Sequence, residues 1–219
     1  MTCSTLRTLV KLILTERTRS KTFVMNDLKR LVRKSTVPLE TAWNYVHTDK
    51  RLKYLGMGSS RSVYLLSSTK VIKLAKNEAG IAQNAKEVDV YTDPHTRDIV
   101  AKIYDFDESY TFIVSELVRE YSYYKFSPPF SDTTGFEFGE LKRVVYTLLH
   151  DREIDEEIND DMIKLARSVA TLIDDHGAPF DEVMYLPHWG KARDGRPVIL
   201  DYGLTSEIMK AHYGNDKLF

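Results

Sequence analysis

Two glycines spaced as Gly56-x-Gly58, a lysine inside the apolar run Val71-Ile72-Lys73-Leu74, a glutamate at position 87 and an aspartate closing the run Val198-Ile199-Leu200-Asp201 are the residue types that handle phosphate. Glycines on a turn let backbone N–H groups approach phosphate oxygens with no Cβ in the way. Lys73, flanked by Ile72 and Leu74 in a strand, needs an anion if its face is turned inward, since an unpaired buried ammonium is costly. Glu87, fourteen residues on, can supply one. A phosphate can supply the other half of that demand, and Asp201, at the end of a buried strand, can hold a divalent metal against it. Together these side chains suit the binding of a phosphate group beside a divalent metal.

The elements that must position them are legible from periodicity. Val63-Tyr64-Leu65-Leu66 and Val71 to Leu74 are β-rich runs separated by the turn residues Ser67-Ser68-Thr69-Lys70, which predicts a hairpin. "EAGIAQNAKEVDVYT" then reads as a helix, and "VAKIYDFD" and "YTFIVSELV" as two strands joined by Asp107-Glu108-Ser109. Residues 55–118 are thus strand, strand, helix, strand, strand. Further on, a loop rich in Ser, Pro and Asp (127–134) leads to the helix "FGELKRVVYTLLHD", the acidic and solvated "REIDEEINDD", and the helix "DDMIKLARSVATLIDDHG", stopped by Gly177 with Pro179 behind it. At the front, Leu6, Leu9, Val10 and Ile13, then Leu28, Leu31 and Val32, then Leu39, Trp43 and Val46 mark three short helices. Helices this short need to pack on the body or on each other.

With 219 residues, 42% hydrophobic and 29% charged, the chain can bury a core as one domain or two small lobes. A single cysteine, Cys3, excludes an internal disulfide framework and a cysteine metal cluster, and fits a reducing, cytoplasmic setting. The first apolar run is short and broken by Lys11, so neither a signal peptide nor a membrane span is expected. The net charge of −1 hides an asymmetry: residues 1–53 hold twelve Lys/Arg against four Asp/Glu, or +8, and the remainder nineteen against twenty-eight, or −9. Solvated helix faces are the favoured reading of that basic front, with nucleic-acid binding the minority one. Only Trp43 and Tyr45 are on hand to stack on bases.

At its phosphate-handling residues the chain resembles the protein kinase superfamily. Gly56-x-Gly58-x-x-Arg61-x-Val63 resembles the glycine-rich loop, "VIK" the strand carrying the phosphate lysine, Glu87 its helix partner and "DYG" the metal-binding D-F-G. "GMGSSRSVY", "KLAKNEAGIAQN", "HWG" and "LDYGLT" are similar to small kinase-like proteins of bacteriophages and bacteria. The resemblance implies an α+β, two-lobed kinase-like fold. A small antiparallel sheet with a helix forms the N-lobe (54–118), a reduced helical C-lobe follows (119–219), and a basic helical extension precedes both (1–53). It implies ATP and Mg2+ as cofactors. Gly56, Gly58, Ser59, Ser60, Arg61, Val63 and Lys73 would surround the nucleotide, Glu116 to Val118 would face adenine with Ser115 as gatekeeper, and Asp201 with His188 would hold the metal. Glu87 would fix Lys73, and Asp181 would act as general base.

The departures shape the functional expectation. Arg61 replaces the third loop glycine, with a guanidinium able to face a phosphate. The H-R-D-x-x-x-x-N motif is absent, and "HGAPFDEVMYLPHWG" offers His176, Asp181, Glu182 and His188 instead. His188 stands where the family's metal-binding asparagine is expected, although imidazole suits magnesium less well than an amide oxygen. The register of Asp181 departs by two residues from the family's spacing, and Glu182 is nearly as good a base. His176 reads as a helix-end residue meeting free carbonyls, and Trp189 as a core or capping residue. Only sixteen residues follow "DYG", too few for a long activation segment or a peptide-docking platform. The expectation is a phosphotransferase acting on an unidentified acceptor, of Ser/Thr type if that acceptor is a protein, in the host cytoplasm if the chain is viral. The alternative is a pseudokinase scaffold that binds nucleotide or a partner.

Overall fold

The computed structural model of the chain describes residues 26–30, 39–121, 129–154 and 157–214. Its larger sheet is built from β1 (Lys53–Met57), β2 (Arg61–Leu65), β3 (Lys70–Ala75), β4 (Ile103–Phe106) and β5 (Phe112–Glu116), all antiparallel, in the order β1-β2-β3-β5-β4. The hairpin read from the sequence is β2–β3, with Val63 opposite Lys73 and Tyr64 opposite Ile72. On its other side β3 pairs with β5, so that Lys73 also faces Ile113 across the ladder. β3 is therefore central and buried, which is why it is apolar on both faces apart from Lys73 and the half-buried Lys70 at its start.

Strand alternation divides these side chains between two faces. Tyr64, Ile72, Leu74, Phe112 and Val114 share a core with α1 (Leu39–Thr48), through Ala42 and Val46, and with Leu28 of the helical residues 26–30. The second and third helical stripes of the sequence thus pack on the sheet where they are described. The first, Leu6 to Ile13, lies outside the described residues. Val71, Lys73 and Ala75 alternate to the opposite face, toward α2 (Glu78–Thr92). Asn77 caps α2 by accepting a hydrogen bond from the Gly80 N–H at 3.1 Å.

The second core gathers α4 (Phe138–Leu149) and α5 (Asp160–Asp174) around Leu141, Val145, Ala166 and Leu172, with the short α3 (Ser131–Thr134) and α6 (Phe180–Val183) at its border. Trp189 is a core residue, as expected: it is fully buried, its indole donates to the Val183 carbonyl at 2.6 Å, and Phe130 and Phe138 meet it edge-on. Gly177 ends α5 at φ +69°, the left-handed conformation that favours glycine. His176 is corrected: instead of meeting helix carbonyls, it reaches α2, bonding Asp93 at 2.8 Å and lying 3.4 Å from Asp89.

A second, three-stranded sheet lies in the C-terminal half: β6 (Arg119–Glu120), β7 (Trp189–Lys191) and β8 (Pro197–Ile199). Of these only β8 is predicted by the sequence. The last element, α7 (Ser206–Tyr213), is capped by the Thr205 hydroxyl, which accepts from the Ile208 N–H at 3.2 Å. The whole is an α+β arrangement, with one core on the five-stranded sheet and a second among the helices that follow. Among the described residues no helix is long and apolar enough to cross a membrane.

The lobes are tied where the site forms. Ala101 N–H donates to the Ile199 carbonyl at 3.0 Å, Ile199 N–H to the Ile99 carbonyl at 2.8 Å, and the buried Tyr202 hydroxyl to the Ala101 carbonyl at 2.9 Å. The next residue, Gly203, runs so close to α2 that a Cβ there would stand 2.3 Å from the Gln83 carbonyl oxygen. Gly203→Ala should therefore cost about 1–3 kcal/mol, the usual penalty of overpacking against backbone. Gly56→Ala, whose Cβ meets nothing within 4 Å, should leave the urea midpoint almost unchanged. Urea unfolding of the two variants measures the contrast.

Candidate functional site

The carboxylate of Glu87 is the centre of the site. It projects from α2, is fully buried, and receives Lys73 Nζ at 2.7 and 2.8 Å and the Arg61 guanidinium at 2.7 Å. Lys73 Nζ also donates to the Leu200 carbonyl at 2.6 Å, and so reaches the residue before Asp201. The second guanidinium nitrogen of Arg61 bonds the Asp201 carboxylate, and the first also meets Asn84 Oδ1 at 3.3 Å. Two cations and two carboxylates thus form one connected group drawn from β2, β3, α2 and the segment after β8.

The Arg61 side chain turns toward Glu87 and Asp201, with 6% of the residue exposed. The backbone fixes this direction, because Arg61 pairs with Ala75 in the β2–β3 ladder and the Lys76 N–H donates to the Ser60 carbonyl at 2.8 Å. Asp201 differs from Glu87 in its surroundings: about half of its side chain is open to solvent. Desolvation would raise its pKa, but Arg61, then Lys73 and His188, outweigh it and hold the carboxyl at about 2. Burial pushes the Tyr202 hydroxyl well up, and Glu87 adds to the shift, so Tyr202 remains a neutral donor to Ala101.

In front of this group opens a cavity of about 570 Å3. Gly56, Gly58, Ser59, Ser60, Arg61 and Val63 border it, as do Lys73, Asp201 and the segment Ser115, Glu116, Leu117 and Val118. Glu87 lies behind Lys73. The loop turns through a Gly58 N–H bond to the Arg61 carbonyl at 2.9 Å. Gly56 and Gly58 have neither a positive φ nor a neighbour within 4 Å of an added Cβ, so packing does not demand glycine at either place. Ser115 is fully buried at the cavity wall, and its hydroxyl has no hydrogen-bond partner among the described residues.

The other expected residues lie apart from the cavity lining. Asp181 is 94% exposed and faces Lys142 at 3.8 Å, a pair too open to fix its position. Glu182 is 3.6 Å from His188 Nδ1, which also lies 2.9 Å from the Glu182 carbonyl oxygen. The His188 carbonyl accepts from the Leu200 N–H at 2.7 Å, so Glu182 and His188 adjoin the Asp201 segment while Asp181 points elsewhere.

Three participants went unread in the sequence: Gln83, Met209 and Tyr213, all bordering the cavity. Ser60 donates to Gln83 Oε1 at 2.9 Å, the Gln83 amide donates to the Tyr213 hydroxyl at 3.1 Å, and Ser59 Oγ donates to the same hydroxyl at 3.3 Å. The glycine loop is thereby fastened to both α2 and α7. Ser59 and Tyr213 are 154 positions apart, and no local pattern announces such a contact.

No protein-family model and no curated protein matches the chain. Among solved structures it is similar to aminoglycoside phosphotransferases. These are the streptomycin–ATP–APH(2'')-IIa ternary complex (13% identity, TM-score 0.34), ADP-bound APH(2'')-Ib (11%, 0.36) and the gentamicin–APH(2'')-IIa complex (12%, 0.35). Each match covers 75% of this chain and 69% of the other.

Two outcomes follow from the electrostatics. Glu87→Gln removes the buried charge shared by Lys73 and Arg61 and should cost about 3–5 kcal/mol, whereas Lys73→Met leaves Glu87 paired with Arg61 and should cost clearly less. Urea unfolding of both variants measures the difference. Asp201 has a folded pKa below its unfolded value of about 3.9, so its stabilising contribution is complete above that value and disappears as pH falls toward 2. Asp201→Asn should flatten the fall in stability between about pH 4 and pH 2, measured by thermal melts across that range.

Proposed function

We propose that the cleft binds a nucleoside triphosphate and that the protein is a kinase-like phosphotransferase. The observation that carries this reading is the meeting of Lys73, Glu87 and the Asp201 segment at one cavity, through the Lys73 bonds to Glu87 and Leu200. Lys73 is held by its carboxylate partner with its charge toward the cavity, where phosphate oxygens would meet it. Gly56 and Gly58 add no side chain of their own to the loop although packing does not require glycine there, which supports close approach of a phosphate to the backbone. The buried Ser115 hydroxyl, without a partner in the protein, offers a polar contact to the base. Glu116 and Leu117 N–H groups are committed to the Lys102 and Thr69 carbonyls, so the hinge donor for the base is Val118.

In transfer, the acceptor oxygen forms a bond to the terminal phosphorus as the bond to the diphosphate breaks, and the acceptor's proton passes to a base. Glu182 beside His188 is favoured for that role over the exposed Asp181. Magnesium, expected from the family resemblance, calls for near-octahedral oxygen ligation. Asp201 offers a carboxylate already engaged by Arg61, and His188 is turned toward Glu182. Among the described residues no group of three His, Cys, Asp or Glu could hold a metal. This donor set does not fit a resident divalent ion. The Arg61–Asp201 bond favours a second reading, a nucleotide-binding scaffold without transfer, because it occupies the carboxylate on which a kinase depends.

ATP should raise the melting temperature by mass action on the folded state, and Lys73→Met should abolish the shift. Radiolabelled ATP incubated with the intact protein and candidate acceptors separates the two readings. Transfer that falls about a hundredfold or more in Glu182→Gln but survives in Asp181→Asn supports the enzyme with Glu182 as base. Binding without transfer leaves the scaffold, and no thermal shift rejects both.

A further inference from the structure

We infer that this cleft accepts its nucleotide without a divalent cation, the Arg61 guanidinium providing the positive charge that a metal would bring to Asp201. The inference rests on the nucleotide reading above and concerns the charge of the same site.

A nucleoside triphosphate carries several negative charges, and a carboxylate beside it repels them unless something intervenes. Without Arg61, the site would hold one cation, Lys73, against two carboxylates, Glu87 and Asp201. Arg61 makes the balance even before any ion arrives, by direct bonds to both carboxylates. Unlike a surface arginine it is almost fully buried and bound on three sides, by Glu87, Asn84 and Asp201. It also borders the cavity, where a planar fork of donors matches phosphate oxygens. A further positive charge stands on the glycine loop: Lys76 Nζ donates to the Gly58 carbonyl at 3.1 Å. The side chains that could ligate a metal do not gather, since Asp201 is held by Arg61 and His188 lies against Glu182.

The test is a titration of intact protein with a fluorescent ADP analogue, once in EDTA and once in excess Mg2+. For the natural sequence the two dissociation constants should agree within about threefold, and Arg61→Gln should weaken binding in EDTA by about tenfold or more while Mg2+ restores most of it. Binding that appears only with Mg2+, or an Arg61→Gln variant that binds in EDTA as well as the natural protein, overturns the inference and leaves the nucleotide reading intact. No binding in either condition rejects the nucleotide reading and this inference with it. If Arg61→Gln does not fold, the natural protein in EDTA against Mg2+ still decides, with Arg61→Lys expected to retain metal-free binding by keeping the charge.

Discussion

Glu87 carries its charge where water does not reach, and a carboxylate in that position must be met by cations held at hydrogen-bonding distance. Lys73 from β3 and Arg61 from β2 meet it together. Because both come from neighbouring strands, the pairing of β2 with β3 is set by this demand as much as by the apolar alternation of the hairpin. A slip of one residue would send Lys73 into the core under α1 and Ile72 toward the acid. The same demand draws α2 close to the sheet, where Gly80 allows contact: a Cβ there would lie 2.3 Å from the Ser60 carbonyl oxygen. It also draws in the far lobe, because Lys73 completes its bonding with the Leu200 carbonyl.

Placement of the glycine loop follows from that centre. Ser59, Ser60 and Arg61 run directly from the loop into the charged group, and each is fastened, the serines through Gln83 and Tyr213 and the arginine through Glu87. The loop is therefore coupled at its trailing end to α2 and α7, while an added Cβ at Gly56 or Gly58 would meet nothing within 4 Å. A ligand that displaced the loop would have to disturb Tyr213, and a displacement of α7 would loosen the loop. The cavity and the last helix are mechanically one unit.

Much of this was legible in the sequence because each signal was a violation of an otherwise apolar pattern. Lys73 interrupts a buried strand, Asp201 ends one, and Glu87 lies on a helix at a spacing that suits the lysine. The hairpin, α2, α4 and α5 came from periodicity alone. What escaped had physical reasons. β1 is exposed along nearly its whole length and carries a glycine, so no alternation marks it. β6 and β7 are two and three residues long, too short for any period. The direction of Arg61 depends on how a turn enters a strand, and the exposure of Asp181 on a four-residue helix depends on the tertiary path of the chain. His176 found carboxylates of α2 in place of local carbonyls for the same reason: its partners are more than eighty residues away.

The two ends of the arginine bridge are unequal, and that inequality decides how the site can respond to an anion. At Glu87 the guanidinium meets a carboxylate sealed from solvent and shared with Lys73, where separation would leave a buried charge and is strongly opposed. At Asp201 it meets one that is half open to water, where screening weakens the attraction and solvent can take over when the bond is broken. An arriving phosphate therefore competes at the Asp201 end, while Glu87 keeps Arg61 anchored and correctly aimed. A guanidinium held firmly from behind and loosely in front is organised to receive an anion with little rearrangement of the protein around it.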